Sequence, residues 1–461
     1  MKIERFEIPG LAQYSYIVSA DGQAAVVDPI RDIDRYTTYA AQQSLTITHV
    51  LETHIHADFA SGAAALADAT GAQLALSGHD SGQHYQYAMP HCALRDGDTI
   101  ALGGIRIQAL YTPGHTPEHL SFLVFDTASN SLHAAALLSG DFLFAGSLGR
   151  PDLLGDEAKY CLARELYRSL HERIAFLPDD VRLYPGHGAG SFCGAGMREQ
   201  ADSTLGQERA TNPFFHLAEE EFIAEILASV PPMPAYYPRM KSLNAKGAPS
   251  LVSLPGGRTL TYAKACDLSR QKDVTLLDLR SAEAFAAGHI PRSINIGAGP
   301  SLSLWAGWLL DPEQRIVLIG EDGEEEQARR SLVRVGLDCI EGHFPDAIAA
   351  WRDAGGELAH IAQLSPEQVQ MRCHGERVID VRSAKEWARG HIGCAKNVPL
   401  GDLLGKLDCL SANRPIALVC EGGYRSSIAA SLLAHHGLYG INTMAGGMAA
   451  WNRQKLPITN D

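Results

Sequence analysis

Two imidazoles and a carboxylate at alternate positions, in Thr53-His54-Ile55-His56-Ala57-Asp58-Phe59, are the first residues here whose types and spacing point to chemistry. The run before them, Leu45 to Leu51, is β-branched and partly alternating and reads as a strand. The small-residue segment Ser61 to Gly71 reads as a helix. His54, His56 and Asp58 therefore leave a strand end together, which is a metal-ligand spacing. Histidines at a strand end can also simply bond to backbone. That alternative weakens because further ligand types follow: His115 in Thr112-Pro113-Gly114-His115, Asp141 in Ser139-Gly140-Asp141, and His187 in Tyr184-Pro185-Gly186-His187. Each comes just after an apolar run, where a sheet would deliver it to one edge.

A second reactive pattern lies near the other end. Ile416 to Val419 reads as a buried strand, followed by Cys420-Glu421-Gly422-Gly423-Tyr424-Arg425-Ser426 and a helical run from Ser427. A thiol so placed faces inward backbone N–H groups at a helix N-terminus, and both stabilise a thiolate or persulfide anion. Arg425 adds positive charge, and Gly422 and Gly423 let the backbone wrap the sulfur closely.

The elements that must position these groups fall into more than one domain, as 461 residues predict. A formal charge of −14 and the lack of any Lys/Arg block argue against a nucleic-acid groove. No apolar run is long enough for a bilayer, so no membrane partner is expected. Nine cysteines without a Cys-x-x-Cys pair do not look like a disulfide framework, and a reducing, cytoplasmic setting is expected. Residues 1–230 alternate short strands, Gly-rich turns and occasional helices, such as Asp156 to Arg173, in the manner of an α/β sandwich. Residues 231–255 open on Pro231-Pro232-Met233-Pro234-Ala235-Tyr236-Tyr237-Pro238 and read as a stiff connector, or, for the aromatic part, as a loop packed on its own domain.

Beyond it the chain repeats. Leu277-Asp278-Leu279-Arg280-Ser281 through Gly288-His289-Ile290 is echoed by Ile379-Asp380-Val381-Arg382-Ser383 through Gly390-His391-Ile392. Two copies of about a hundred residues make two α/β domains with parallel sheets, residues 256–358 and 364–461, since the period is too long for stacked repeats. In the first copy Gly320 occupies the place of Cys420 and Glu325 that of Arg425, within the acidic run Glu321 to Glu326. That copy is expected to be chemically silent, a spacer or docking domain. Cys339 falls outside its loop and reads as core.

These residues carry a resemblance. The positions His54, His56, Asp58, His115, Asp141 and His187 resemble the motif of the metallo-β-lactamase fold, and within it the glyoxalase II and persulfide dioxygenase branch. The resemblance implies an αββα sandwich over residues 1–230. The dinuclear hydrolases of that fold carry a further histidine where this chain has Phe59, which cannot ligate a metal, so one metal is the better expectation. Two imidazoles and one carboxylate, His54, His115 and Asp141, suit non-haem Fe(II), one per chain. His56, Asp58 and His187 would then orient the ligands through hydrogen bonds, although His56 as a further, more zinc-like ligand stays open. Arg150, in Gly149-Arg150-Pro151-Asp152, resembles a loop that holds the glutathione carboxylate in related dioxygenases. Tyr184 and, more weakly, Arg239 are further candidates for touching the thiol carrier. For each of the three the alternative is a solvated or salt-bridged surface side chain. Cys193 is a candidate sulfur relay or a small buried group.

The repeated half resembles rhodanese sulfurtransferase domains, with Cys420 and Arg425 catalytic and Glu421, Gly422, Gly423, Tyr424 and Ser426 forming the sulfur loop. Together the resemblances imply a persulfide dioxygenase fused to a sulfurtransferase, acting on a small thiol persulfide, O2, and sulfite or thiosulfate in sulfide detoxification, as a homo-oligomer. The alternatives are a glyoxalase II-like thioester hydrolase fused to a sulfurtransferase, or a non-catalytic sulfur carrier or sensor.

Overall fold

The computed structural model of the chain describes residues 1–129, 132–200, 202–251, 253–321, 323–373, 377–410 and 414–460. Asp322, in the acidic run of the first repeat, lies outside the described residues. The chain divides into two compact units, one of residues 1–252 with 333–336, the other of residues 253–332 and 337–461.

The first unit is a sandwich of two six-stranded sheets. One sheet runs, in order, Lys2–Ile8, Gln13–Ala20, Gln23–Val27, Thr46–Leu51, Gln73–Ser77 and Cys92–Leu94. Its first three strands pair antiparallel and the rest parallel. The other sheet places Ala136–Gly140 between Leu120–Asp126 and Arg182–Pro185. Inner faces of both sheets, including Tyr16, Val18, Val27, Leu51, Ile107, Phe122 and Leu138, form one buried core. Alternation explains this: along Ile105–Tyr111, Ile105, Ile107 and Ala109 join that core, while Leu110 joins an outer one. The outer core is covered by the helices Lys159–Arg168 and Glu219–Ser229, making the helix layer of an αββα sandwich. The helix expected from Asp156 to Arg173 is α-helical over Lys159–Arg168 and continues as a π-helical turn over Ser169–Arg173.

Proline keeps Pro231 to Pro234 out of regular structure. The aromatic part does otherwise. Tyr236 and Tyr237 are buried in the first unit, and Tyr237–Lys246 is a helix of that unit.

The second unit holds two parallel sheets, each with its own buried core. In the first, Val274–Asp278 lies between Ile294–Asn295 and Arg315–Gly320, with Ile340–Pro345 outermost. In the second, Ile416–Val419 lies between Arg377–Asp380 and Ile441–Met444. Two sequence expectations are corrected here. Cys339 is exposed, because it precedes the outermost strand. Cys373 and Cys394 are disulfide-bonded, because the end of the helix Pro366–Arg372 and the turn before Ala395–Asn397 come within 5.7 Å between Cα atoms. Among the described residues no helix is long and apolar enough to cross a membrane.

Candidate metal centre and sulfur loop

The metal-type residues gather where strands of the first unit end. After Thr46–Leu51 every residue from Glu52 to Asp58 is buried. Asp28, just beyond the neighbouring strand, organises this turn. Its carboxylate accepts the Thr53 N–H at 2.7 Å, the Thr53 hydroxyl at 2.9 Å, and a hydrogen bond from His56 Nε2 at 3.1 Å. Because Thr53 gives its hydroxyl proton to Asp28, its oxygen accepts from His54 Nδ1, at 2.9 Å. His115 Nδ1 lies 2.9 Å from the Arg150 carbonyl, which only accepts. Both rings therefore carry their proton on Nδ1 and present a bare Nε2.

Those two nitrogens face Asp141 Oδ2, from 3.9 Å for His54 and 3.5 Å for His115. All three atoms are buried without a hydrogen-bond partner, and the group lies within 4.8 Å. Buried polar atoms are nearly always satisfied, so three orphans converging on one point fit a bound cation. Burial, reinforced by the neighbouring imidazoles, pushes His54 and His115 well below the usual histidine range, so both keep a free lone pair at neutral pH. Close approach is enforced by Gly186, where a Cβ would sit 2.5 Å from Asp141 Oδ1.

The remaining groups hold this set in place. His119 accepts the Asp141 N–H at 3.2 Å and stacks on His54; burial pushes it down to about 3, so it is neutral. His187 lies between two carboxylates, with Nδ1 2.7 Å from Asp141 and Nε2 2.8 Å from Asp58. Burial opposes its charge, but the two acids outweigh burial and raise it well above the usual range. Burial likewise opposes charge on His56, and Asp28 reverses the balance. Phe59 is fully buried, with its ring 4.4 Å from that of His56. A second buried group, Asp58, His187 and Cys193, also lies within 4.8 Å. It differs from the first because both His187 nitrogens are engaged. Burial and then the nearby acids push the Cys193 thiol well up, so it stays protonated.

In the second unit Cys420 follows the strand Ile416–Val419 and is buried. The Gly423 N–H donates to its sulfur at 3.1 Å. The Ser426 hydroxyl donates to the Gly423 carbonyl, so the thiol donates to Ser426 Oγ, 3.4 Å away. Gly423, at φ +110°, turns the chain into the helix Tyr424–His435. The sulfur thus sits at a helix N-terminus, facing a backbone donor. Arg425 makes two hydrogen bonds to Glu386, at 2.7 and 2.6 Å. Burial works against the Glu386 charge, but Arg425 and Ser383 hold its carboxyl down at about 2. At the matching position of the first copy, a Cβ on Gly320 would meet Leu279 Cβ at 3.3 Å.

Comparison with known proteins bears on both sites. Residues 8–187 match the Metallo-beta-lactamase superfamily, and residues 261–351 and 365–454 each match the Rhodanese-like domain. A hydroxyacylglutathione hydrolase of Anaeromyxobacter dehalogenans is 31% identical over 247 residues, 48% of this chain and 89% of that protein. The chain belongs to the metallo-beta-lactamase superfamily, with two rhodanese-like domains fused to it. The persulfide dioxygenase ETHE1 of human mitochondria is 30% identical over 203 residues, 44% of this chain and 70% of that protein. A solved metallo-beta-lactamase structure from Staphylococcus aureus is 35% identical, with a TM-score of 0.68 over 75% of this chain and 99% of that one.

Within the metallo-beta-lactamase domain the geometry brings His54, His115 and Asp141 together and sets His56, Asp58 and His187 around them. The three substrate candidates fare differently. Arg150 is buried, with its guanidinium on both oxygens of Asp152 and on the Phe192 carbonyl, so its carboxylate partner is the protein's own. Tyr184 packs into the intersheet core, edge-on to Tyr16 at 5.5 Å. Arg239 donates to the Val335 and Gly336 carbonyls. Local pattern does not mark Asp28, His119 or Glu118, whose carboxylate accepts the Ile55 N–H at 2.9 Å. Asp28 ends an apolar strand and the other two precede one, positions shared by many inert residues. Glu386 was legible: Ser383-x-x-Glu386 is a capping box, and both of its bonds form.

Proposed function

We propose that this chain is a non-haem Fe(II) persulfide dioxygenase, one iron per chain, coupled to sulfur transfer at Cys420. The single observation that carries the reading is the convergence of three orphaned, buried atoms, His54 Nε2, His115 Nε2 and Asp141 Oδ2, beside a phenyl ring at position 59. Two imidazoles and one carboxylate leave positions open and suit iron in oxygenases. When bound, ferrous iron supplies the redox chemistry that joins dioxygen to a terminal sulfur. The chain's own residues do the rest: Thr53 and the Arg150 carbonyl hold both imidazoles in the ligating tautomer, His119 holds the Asp141 backbone N–H, and His187 fixes the Asp141 carboxylate.

The balanced reaction is R–S–SH plus O2 plus water giving R–SH and sulfurous acid, which ionises to sulfite. A small thiol persulfide such as glutathione persulfide is the substrate. At Cys420 a second persulfide passes its outer sulfur to the thiolate, releasing R–SH. Sulfite then attacks that outer sulfur, giving thiosulfate and the free Cys420 thiolate. The Gly423 N–H and the helix N-terminus stabilise the sulfur anion at both stages. The chain would serve sulfide detoxification in the cytoplasm, as a homo-oligomer.

The test is an oxygen-electrode trace with glutathione persulfide and metal content determined on the same sample. One iron per chain is expected, with one O2 taken up per two persulfides consumed, because the second persulfide is spent at Cys420. A second reading, metal-dependent thioester hydrolysis, is favoured by the likeness to a hydroxyacylglutathione hydrolase. Two zinc ions per chain with thioester cleavage and no oxygen uptake would replace the first reading with the second.

A further inference from the structure

The turn from His54 to Phe59 has left its strand, so its peptide groups need partners outside any sheet ladder. The carbonyls of Ile55, His56, Asp58 and Phe59 find theirs on one short stretch, 178 to 188 residues further along the chain. Lys241 Nζ donates to the Ile55 carbonyl at 2.8 Å. Asn244 Nδ2 donates to the carbonyls of His56, at 2.8 Å, and Phe59, at 2.7 Å, while its Oδ1 accepts the Ser61 N–H at 2.8 Å. The Tyr236 hydroxyl donates to the Asp58 carbonyl at 3.0 Å. Lys241 and Asn244, three apart on the helix Tyr237–Lys246, share a face and are 2% and 1% exposed.

The Ile55 residue, between the two histidines, is gripped from both sides. Its N–H goes to the Glu118 carboxylate at 2.9 Å and its carbonyl to the Lys241 ammonium. Opposite charges on its two ends hold both peptide planes, and those planes carry the Cα atoms of His54 and His56. A buried ammonium beside a cation site is electrostatically costly, and a neutral donor would satisfy the carbonyl alone. Burial works against the Lys241 charge, and among the groups that favour it Glu118 comes first.

We propose that Lys241 and Asn244 are positioning residues of the metal centre, acting on the metal through the backbone of the His54–Phe59 turn. The inference rests on reading His54, His115 and Asp141 as metal ligands. It also extends the metal-binding fold through the helix that follows the proline-rich segment.

The experiment uses the full chain loaded with cobalt(II). Affinity by chelator competition and the visible cobalt spectrum are compared for Asn244→Ala, Lys241→Met and Lys241→Arg, with His54→Ala as reference. Thermal melting and Cys420-dependent sulfur transfer report folding. Expected are cobalt affinities about 10- to 100-fold weaker in Asn244→Ala and Lys241→Met, with an altered cobalt spectrum. Lys241→Arg should recover most of the affinity, and sulfur transfer should stay within about twofold throughout. If His54→Ala keeps wild-type affinity, the ligand assignment itself falls. If His54→Ala loses cobalt while Asn244→Ala and Lys241→Met bind it with wild-type affinity and spectrum, the positioning role is overturned. Should Asn244→Ala fail to fold, Lys241→Met decides by the same two readouts.

Discussion

The two rhodanese-like domains share a frame down to single hydrogen bonds. In the first, Arg280 forks onto Asp278 and reaches the Gly288 carbonyl at 3.0 Å; in the second, Arg382 forks onto Asp380 and reaches Gly390 at 2.9 Å. Asn295 and Asn397 each donate to the carbonyls of that aspartate and arginine. His289 stacks on Phe285, and His391 on Trp387. The motif that makes the repeat visible is therefore scaffolding, a latch between a strand end and the Gly-His-Ile turn. Chemistry lies where the copies part company. One strand ends in Gly320 against Leu279, and the other runs into Cys420 beneath a backbone donor with an arginine–glutamate pair beside it. Shared residues in a duplicated fold report architecture, and divergent ones report function.

Five substitutions test that contrast. The largest effect is expected from Cys420→Ser, which should cut thiosulfate formation by about a thousandfold or more while oxygen uptake continues and sulfite accumulates. Loss of oxygen uptake as well would dissolve the distinction between the two sites. Next come Asp278→Ala and Asp380→Ala. Each strands a guanidinium, buried in Arg382 and mostly buried in Arg280, and should destabilise its own domain by about 3–5 kcal/mol in urea melts, although one copy is reactive and the other silent. A large loss in one copy alone would show that the latch is not shared scaffolding.

Glu386→Gln should lower sulfur transfer by about tenfold by releasing Arg425 from its paired geometry. The same carboxyl predicts a pH dependence. Its value in the folded chain, about 2, lies below the ordinary 4.5, so its stabilisation is present above pH 4.5 and is lost as pH falls through about 2. Acid melts of the wild type should show this dependence in that window and Glu386→Gln should lack it. The smallest effect is expected from Gly320→Cys on the Cys420→Ser background, which should restore no transfer. A thiol there would face Leu279 without an arginine at position 325. Measurable thiosulfate from that variant would break the contrast outright.

Local pattern revealed a good deal of this molecule. Alternation placed the strands, and loop residues after apolar runs placed His54, His115, Asp141 and His187, because a side chain just past a strand end must emerge at the sheet's edge. The spacing of Cys420, Gly422, Gly423 and Ser427 was enough for a sulfur loop, since strand, turn and helix are consecutive in the chain. Interactions closed across the fold escaped that reading. Asp28 tuning two histidines, Arg150 folded back on Asp152, and the helix Tyr237–Lys246 seated against the metal turn each join segments that sequence proximity does not link. The Cys373–Cys394 bridge and the exposure of Cys339 belong with them. Short-range geometry follows from backbone periodicity, so it can be read residue by residue. A buried polar group instead takes whichever partner the packed sheets bring within reach, and that choice exists only once the sandwich has closed.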